Sequence, residues 1–454
     1  MKTPHSFTPH RLAAAVVLAL SGPSALAAVD CTVSASSDDG TGNTPNTLSW
    51  AITTANTTTT TATGHTGGGC TNNTITLATD VSLTGVMQRL IDSDMTLDGQ
   101  SHTIDGGGFR PLFVKSGAVT IKNMVISNGL AQGGASSGGG GGAGLGGALF
   151  VYSGMVTVKD VTFSANKALG GQNSPIDFLY SGGGGMFGNS ALGGGGLFGD
   201  GNGWAGGYGG TSSYNSTNLT FGAGGNSVNA FYGTPAADGG FGGGGGTGGS
   251  FGDGGNGGFG GGGGYNASSA GDGGFGGGGG GGLTTNGGYG GGDSGNDSTG
   301  GSGAGFGGAI FVMRGELTLH NVNFSSNDAT GGAGTNPGEG RGGAVFICTA
   351  NLTDSGTNQA PTQCGGSINA TSCGVIANDT ASTDQKELFW KGANGNIEFS
   401  AIGATQACPV TPTGPTSPIP TLSEWGLLLM SSLLGLFGAW RTRKVAGSRT
   451  KRRT

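Results

Sequence analysis

Residues 142–171 (GAGLGGALFVYSGMVTVKDVTFSANKALGG) and 303–332 (GAGFGGAIFVMRGELTLHNVNFSSNDATGG) align without a gap and agree at 17 of 30 positions. A third copy runs from Leu112 (LFVKSGAVTIKNMVISNGLAQGG), and a partial fourth is Gly342-Gly343-Ala344-Val345-Phe346-Ile347. Internal duplication at this scale restricts the fold more than any other feature of the chain. Each copy follows one plan. A short apolar run (Ala148, Leu149, Phe150, Val151) leads to a glycine turn. Val156, Val158, Val161 and Phe163 then alternate with Thr157, Lys159, Asp160 and Thr162. Apolar and β-branched residues at a spacing of two predict strands, and Asn166 and the glycine runs predict turns. No single copy can hide its own apolar face, whereas stacked copies can. The expectation is an all-β chain, a parallel β-helix with Phe, Val, Leu and Ile directed into one long central core.

The repeat divides the chain. Residues 29–171 hold the first rungs, with earlier ones over Asn73–Leu97 and up to Asp105. Thr47–Asn56 is the best helix candidate, predicted to cap the exposed core end. Residues 172–302 interrupt the pattern; much of the 108 Gly in the chain falls there, with Phe241, Phe251, Phe259 and Phe275 spaced among glycine runs and Asp-Gly-Gly-Phe occurring twice. The entropy lost on ordering glycine favours a flexible loop. The other reading is extra rungs or packed polyglycine strands anchored by the Phe rings. Residues 303–408 resume the rungs and end in a cysteine-containing segment read as a C-terminal cap. Residues 409–418 form a Pro/Thr-rich extended spacer. The six cysteines, Cys31, Cys70, Cys348, Cys364, Cys373 and Cys408, are an even number without CxxC spacing or neighbouring His. In an exported chain this reads as disulfides rather than zinc ligands. The simplest pairing joins Cys31 to Cys70, with the other four paired among themselves.

Both ends read as addresses. Residues 1–28 carry Lys2, His5, His10 and Arg11, an apolar run from Leu12 to Leu20, and Ala25-Leu26-Ala27. This is the pattern of a cleavable signal peptide. Residues 419–454 contain an uncharged apolar stretch from Gly426 to Trp440, with Trp425 and Trp440 at its edges. Arg441, Arg443, Lys444 and four further basic residues follow. That order predicts a short transmembrane helix with a cytoplasmic basic stop, and a body exported across the inner membrane. Ile419, Pro420, Thr421, Leu422, Trp425 and Gly426 stand in the arrangement IPTLxxWG. The tail thereby resembles the IPTL-type C-terminal sorting domain of Gram-negative bacteria. The resemblance implies a signal read and removed by an exosortase-type membrane peptidase, in which Ile419 to Gly426 are the recognised element. It implies anchoring first and cell-surface or secreted residence after processing.

The repeats carry a second resemblance. Gly147-Ala148-Leu149 (after Gly146) with Phe163-Ser164-Ala165-Asn166 recurs as Gly308-Ala309-Ile310 with Phe324-Ser325-Ser326-Asn327. The pairing GGA[ILV] with FxxN is similar to the repeats of polymorphic outer membrane proteins. That implies a right-handed parallel β-helix at a bacterial surface, often associated with adhesion. Those proteins normally end in a barrel translocator, in place of which this chain has the sorting tail.

Little in the body points to chemistry. Between Ala28 and Trp425 there are 10 basic and 25 acidic residues, a net of −15, which argues against nucleic acid as a partner. Asp92, Asp94, Asp98 and Asp105 are the densest carboxylates. They could serve glycoside hydrolysis or bind calcium, but Asp98-Gly99 and Asp105-Gly106 also read as turn dipeptides. His65, His102 and His320 are isolated and form no triad, and the GxGxxG matches lack the strand-loop-helix setting of a phosphate site. No catalytic residue, metal site or cofactor is expected. The reading is a structural or adhesin-like surface protein, whose ligand would be a surface glycan, matrix component or host molecule. The alternatives are a polysaccharide-active lyase or hydrolase on the same fold and a passive glycan-binding module.

Overall fold

The computed structural model describes residues 29–383 and 388–389. Positions 57–58, 62–63, 67–68, 175–180, 204, 206–220, 228–234, 250–251, 283–284, 296–298, 350–351, 353–362, 371–375 and 378 are excepted. The described residues are mostly β-strand in parallel sheets, with one short helix among them. Residues 1–28, read from sequence as a signal peptide, the spacer and the whole sorting tail lie outside them. Among the described residues no helix is long and apolar enough to cross a membrane.

The repeats pair side by side, in parallel and in register. Ala118–Ser127 lies against Met155–Ser164, with Val119 opposite Val156 and Ile126 opposite Phe163. Met155–Ser164 in turn lies against Arg314–Ser325, with Phe163 opposite Phe324. The same sheet continues on one side to Met95–Asp98, Cys70–Leu77 and Val29–Val33, and on the other to Gly365–Ala370. A second sheet stacks Leu112–Val114, Leu149–Val151, Ile310–Val312, Val345–Ile347 and Leu388–Phe389. A third stacks Leu130–Gln132, Lys167–Leu169, Asp328–Thr330 and Thr380–Ala381. The third and fourth copies inferred from sequence therefore occupy the registers their alignment predicts. Strand pairing also runs past Cys348 into a region read from sequence as a cap. The only antiparallel pair among the described strands joins Thr59–Thr61 to Gly64–Thr66.

The alternation of each strand sorts its side chains. Leu149 and Val151 join Val156, Val158, Val161 and Phe163 in an inner core. The expectation of one central core needs correction, because Phe150 between them faces the opposite way. With Phe113, Phe311 and Phe346 it builds a second apolar cluster outside the second sheet. Side chains at successive strand positions leave by opposite faces, so a run such as Leu-Phe-Val must feed two cores.

Asn166, the last residue of FxxN, is wholly buried and explains the motif. Its Nδ2 donates to the Ile126 carbonyl (3.0 Å) and to Asn327 Oδ1 (2.9 Å), while its Oδ1 accepts from Gly129 N–H (2.9 Å). Asn327 repeats the pattern one layer on, with Nδ2 donating to the Phe163 carbonyl (3.2 Å) and to Asp379 Oδ1 (2.8 Å). The residues before them, Ala165 and Ser326, have φ of 55° and 58°. That corner leaves backbone groups without ladder partners, and the buried amides satisfy them.

The first turn of the stack is closed by the helix Leu48–Ala55. Thr47 caps it, its side chain accepting from Trp50 N–H at 3.3 Å. Buried Asp38 accepts from Ser49 N–H and from Ser49 Oγ, each at 2.6 Å. Leu48, Ala51, Ile52 and Ala55, at helical spacing, join the inner core. This matches the helix expected over Thr47–Asn56. Cys31 and Cys70, beneath it, are joined with Cα atoms 5.4 Å apart.

Candidate functional site

The segment between the copies at 142–171 and 303–332 is the part of the body most unlike a plain strand stack. The register passes from Met155 to Glu316 as though the insertion were absent. The described parts of residues 172–302 fold back on the second sheet as a glycine layer, so the flexible-loop expectation fails for them and the packed-polyglycine alternative describes them.

Four turns organise the layer: Asp238-Gly239-Gly240-Phe241, Asn256-Gly257-Gly258-Phe259, Asp272-Gly273-Gly274-Phe275 and Asn286-Gly287-Gly288-Tyr289. In each, the N–H two residues beyond the aromatic returns to the carbonyl just before it. Gly243 reaches Gly240 at 2.9 Å, Gly261 reaches Gly258 at 2.8 Å, and Gly277 and Gly291 do the same at 2.7 Å. The glycine after the aromatic has φ of 75°, 80°, 75° and 72° in turn. That is a type II turn, and only its third position demands glycine.

The glycine runs between turns are explained by their hydrogen bonds. Gly260 and Gly263 donate to Phe275 and Gly278 of one neighbour (both 2.9 Å), Gly261 and Gly264 to Gly258 and Gly255 of a second (2.8 and 2.9 Å), and Gly262 to Gly184 of a third (2.9 Å). The runs from Gly242 and Gly276 repeat this distribution. Bonds that return to one neighbour every third residue mark a helix of three residues per turn without internal hydrogen bonds, the polyproline II geometry. Surrounded strands of this kind leave no room for side chains. A methyl group on Gly140 would overlap the Gly278 carbonyl oxygen, and one on Gly183 that of Gly262.

The four turn aromatics form a column with Phe221. Phe221, Phe241, Phe259, Phe275 and Tyr289 stack with successive centroid separations of 4.8, 5.4, 4.7 and 5.4 Å. The outward rings of the second sheet form another column, Phe113, Phe150, Phe311 and Phe346, at 4.6, 5.1 and 5.4 Å. The two columns meet edge to face, as with Phe259 on Phe311 at 6.1 Å and Phe275 on Phe346 at 6.2 Å. Such ring pairs contribute about 0.5–1.5 kcal/mol each beyond their buried area. A cation closes each end of the turn column. Lys115 Nζ lies 5.8 Å from the Phe221 centroid and pairs with Asp92 at 2.6 Å. Arg341 lies 5.2 Å from the Tyr289 centroid, bonds its hydroxyl at 2.7 Å and pairs with Glu339.

On the exposed edge the turns are laced by a side-chain ladder. Asp238 Oδ1 accepts from Asn256 N–H (2.6 Å), Asn256 Oδ1 from Asp272 N–H (2.9 Å), and Asp272 Oδ1 from Asn286 N–H (3.0 Å). The alternation of Asp and Asn avoids adjacent carboxylates. The two Asp-Gly-Gly-Phe copies were visible in the sequence. The Asn256 and Asn286 turns were not recognised as their equivalents, although reading Asp with Asn and Phe with Tyr would have found them.

The carboxylates singled out from sequence serve adjacent rungs. Asp92 holds Lys115 and also accepts from Ser116 Oγ (2.6 Å), and Asp94 accepts from Ala118 N–H (2.7 Å). Asp105 accepts from Gly107 N–H (2.9 Å) and Asn128 Nδ2 (3.2 Å), the turn role expected for it. Asp98 accepts from Gln100 N–H (3.1 Å) and Asn123 Nδ2 (3.1 Å) and pairs with Lys122 at 3.0 Å. Its burial raises the carboxyl pKa, but the bonds from Lys122, Asn123 and Gln100 outweigh this and hold it below the usual value. Cys348 is bonded to Cys364, with Cα atoms 5.1 Å apart, while Cys373 and Cys408 lie outside the described residues. So do Ile419, Pro420, Thr421, Leu422, Trp425, Gly426, Arg441, Arg443 and Lys444.

Comparison with known families bears on that tail. Residues 417–444 match the IPTL-CTERM motif. A motif of this kind suggests export and sorting at the cell surface, and it is generally processed by exosortase-type enzymes. No curated protein and no solved structure matches the chain.

Proposed function

We propose that this chain is a non-catalytic, adhesin-like or matrix-forming surface protein. In this reading its body is a right-handed parallel β-helix related to the polymorphic outer membrane protein repeats, and the glycine layer is a stiff outer flank of it. Residues 1–28 are a cleaved signal peptide. Gly426–Trp440 passes through the inner membrane until an exosortase-type peptidase cuts at the tail, and Arg441, Arg443 and Lys444 stay cytoplasmic. The observation that carries the reading is the in-register parallel pairing of successive repeats, on a chain whose residues 417–444 match a sorting motif. A long stack of identical registers is a spacer and display form.

Passive glycan binding by the same body is the second reading. Thr74, Thr96, Thr120, Thr157 and Thr318 stand opposite one another in successive strands, half-buried on the outward face of the long sheet. They offer hydroxyls at the strand spacing of about 4.8 Å.

The test uses epitope tags placed before residue 419 and at the C-terminus, followed by cell fractionation. The two tags are expected to separate, the body leaving the inner membrane while the tail remains. Co-migration of both tags in the inner membrane, with substitution of Pro420 or Trp425 making no difference, would overturn the sorting reading.

A further inference from the structure

Five Asn-Gly dipeptides begin at Asn128, Asn202, Asn256, Asn286 and Asn394, the last outside the described residues. With no side chain on the glycine, its backbone nitrogen can reach the asparagine side chain. The nitrogen loses its proton to solvent and bonds to Cγ, and ammonia leaves. The resulting succinimide is opened by water to aspartate or isoaspartate. The fold decides which pairs react, because a nitrogen whose proton is held in a hydrogen bond inside the structure must first be released.

Three of the pairs are held. Gly129 N–H donates to buried Asn166 Oδ1 at 2.9 Å, and Asn128 Nδ2 donates to Asp105 at 3.2 Å. Gly257 N–H donates to the Asp272 carbonyl at 2.8 Å, while Asn256 Oδ1 accepts from Asp272 N–H at 2.9 Å. Gly287 N–H donates to Asp293 Oδ1 at 2.8 Å. Asn202 stands apart. Its backbone exchanges two hydrogen bonds with Ala205, each 3.0 Å, and Gly203 has φ of 55°, the geometry of a tight hairpin turn. Asn202 and Gly203 are both exposed, and a Cβ on Gly203 would meet nothing within 4 Å. Among the described residues no acceptor takes the Gly203 N–H and nothing engages the Asn202 side chain.

We propose that Asn202 is a modification site, the position where the folded body deamidates spontaneously. The aspartyl product places a second carboxylate close to exposed Asp200. The isoaspartyl product lengthens the main chain by a methylene and spoils the spacing that lets Asn202 and Ala205 pair. The Gly203 carbonyl also accepts from Gly193 N–H at 2.7 Å, so the change loosens the start of one glycine strand. The site does not depend on how the tail is sorted.

The test incubates the full-length chain at mildly alkaline pH, folded and in urea, and follows each asparagine by peptide mass spectrometry. In the folded chain, conversion at Asn202 is expected to be at least tenfold faster than at Asn128, Asn256 or Asn286. In urea the four should convert at comparable rates, since they share the same dipeptide. A rate at Asn202 no higher than the other three in the folded chain would overturn the proposal. So would a lead for Asn202 that persists unchanged in urea, because the fold would then not be its cause.

Discussion

At the residue scale the body depends on polar groups in places where none should be comfortable. Asn166 and Asn327 are buried and linked to each other, so removing one strands its neighbour as well as the carbonyl it served. Asn327→Ala is expected to destabilise the body by about 2–4 kcal/mol, the cost of leaving buried groups unpaired. Thr157→Ala on the outward face should change stability by less than about 0.5 kcal/mol. Urea denaturation followed by circular dichroism separates the two. Asp98 makes a pH-dependent contribution of definite sign. Its pKa is lower folded than unfolded, so the stability it adds is fully present above the unfolded value and disappears as pH falls through the folded one. The acid limb of a stability profile should therefore flatten in Asp98→Asn, and an unchanged limb would refute this role. The FxxN spacing was readable in the sequence, but its reason was not. Asn166 read as a turn residue, because spacing along one copy cannot show that the next copy places an identical amide directly against it.

At the element scale the alternation rule was legible and its consequence was missed. Leu149-Phe150-Val151 was expected to feed one core, and strand geometry sends Phe150 to the other side. What covers that side was hidden in a segment whose composition suggests disorder. Glycine does lose much entropy on ordering, yet in a three-residue-per-turn bundle every N–H finds a partner in one of several neighbours, an arrangement only glycine permits. The aromatic column then fixes the bundle to the sheet. Phe259→Ala should destabilise the layer by about 3–5 kcal/mol and raise amide exchange there before the inner strands respond. Replacing residues 175–302 by a short linker should leave the strand signal in circular dichroism but expose Phe113, Phe150, Phe311 and Phe346. Such a variant should bind a hydrophobic dye that the full chain does not. Failure to bind it would mean the layer is not the cover described.

At the scale of the whole molecule, the repeat and the sorting motif were both plain from residue order, since each is a short recurring pattern. Disulfide pairing was only half legible. Cys31 and Cys70 were the simplest match at one end, while four cysteines at the other allow several pairings, and the short Cys348–Cys364 link emerges only from the fold. Substituting Cys31 should lower stability by about 2–4 kcal/mol and loosen the first rungs and their helix, measurable as a lower urea midpoint with faster exchange around Trp50.

One earlier observation bears on the order of assembly. Asn166 touches Asn327 across 161 positions of chain, so the middle of the stack cannot close until a long glycine tract has emerged and been bypassed. The rungs up to Leu169 can form before that tract is in place. The tract has only part of its seat at that moment, because Phe306, Phe311 and Phe346 arrive after it. Refolding should thus show an early phase for the first strands and a late, concerted one in which the far rungs and the aromatic seam lock together, and the intermediate between them would be the form most exposed to proteases.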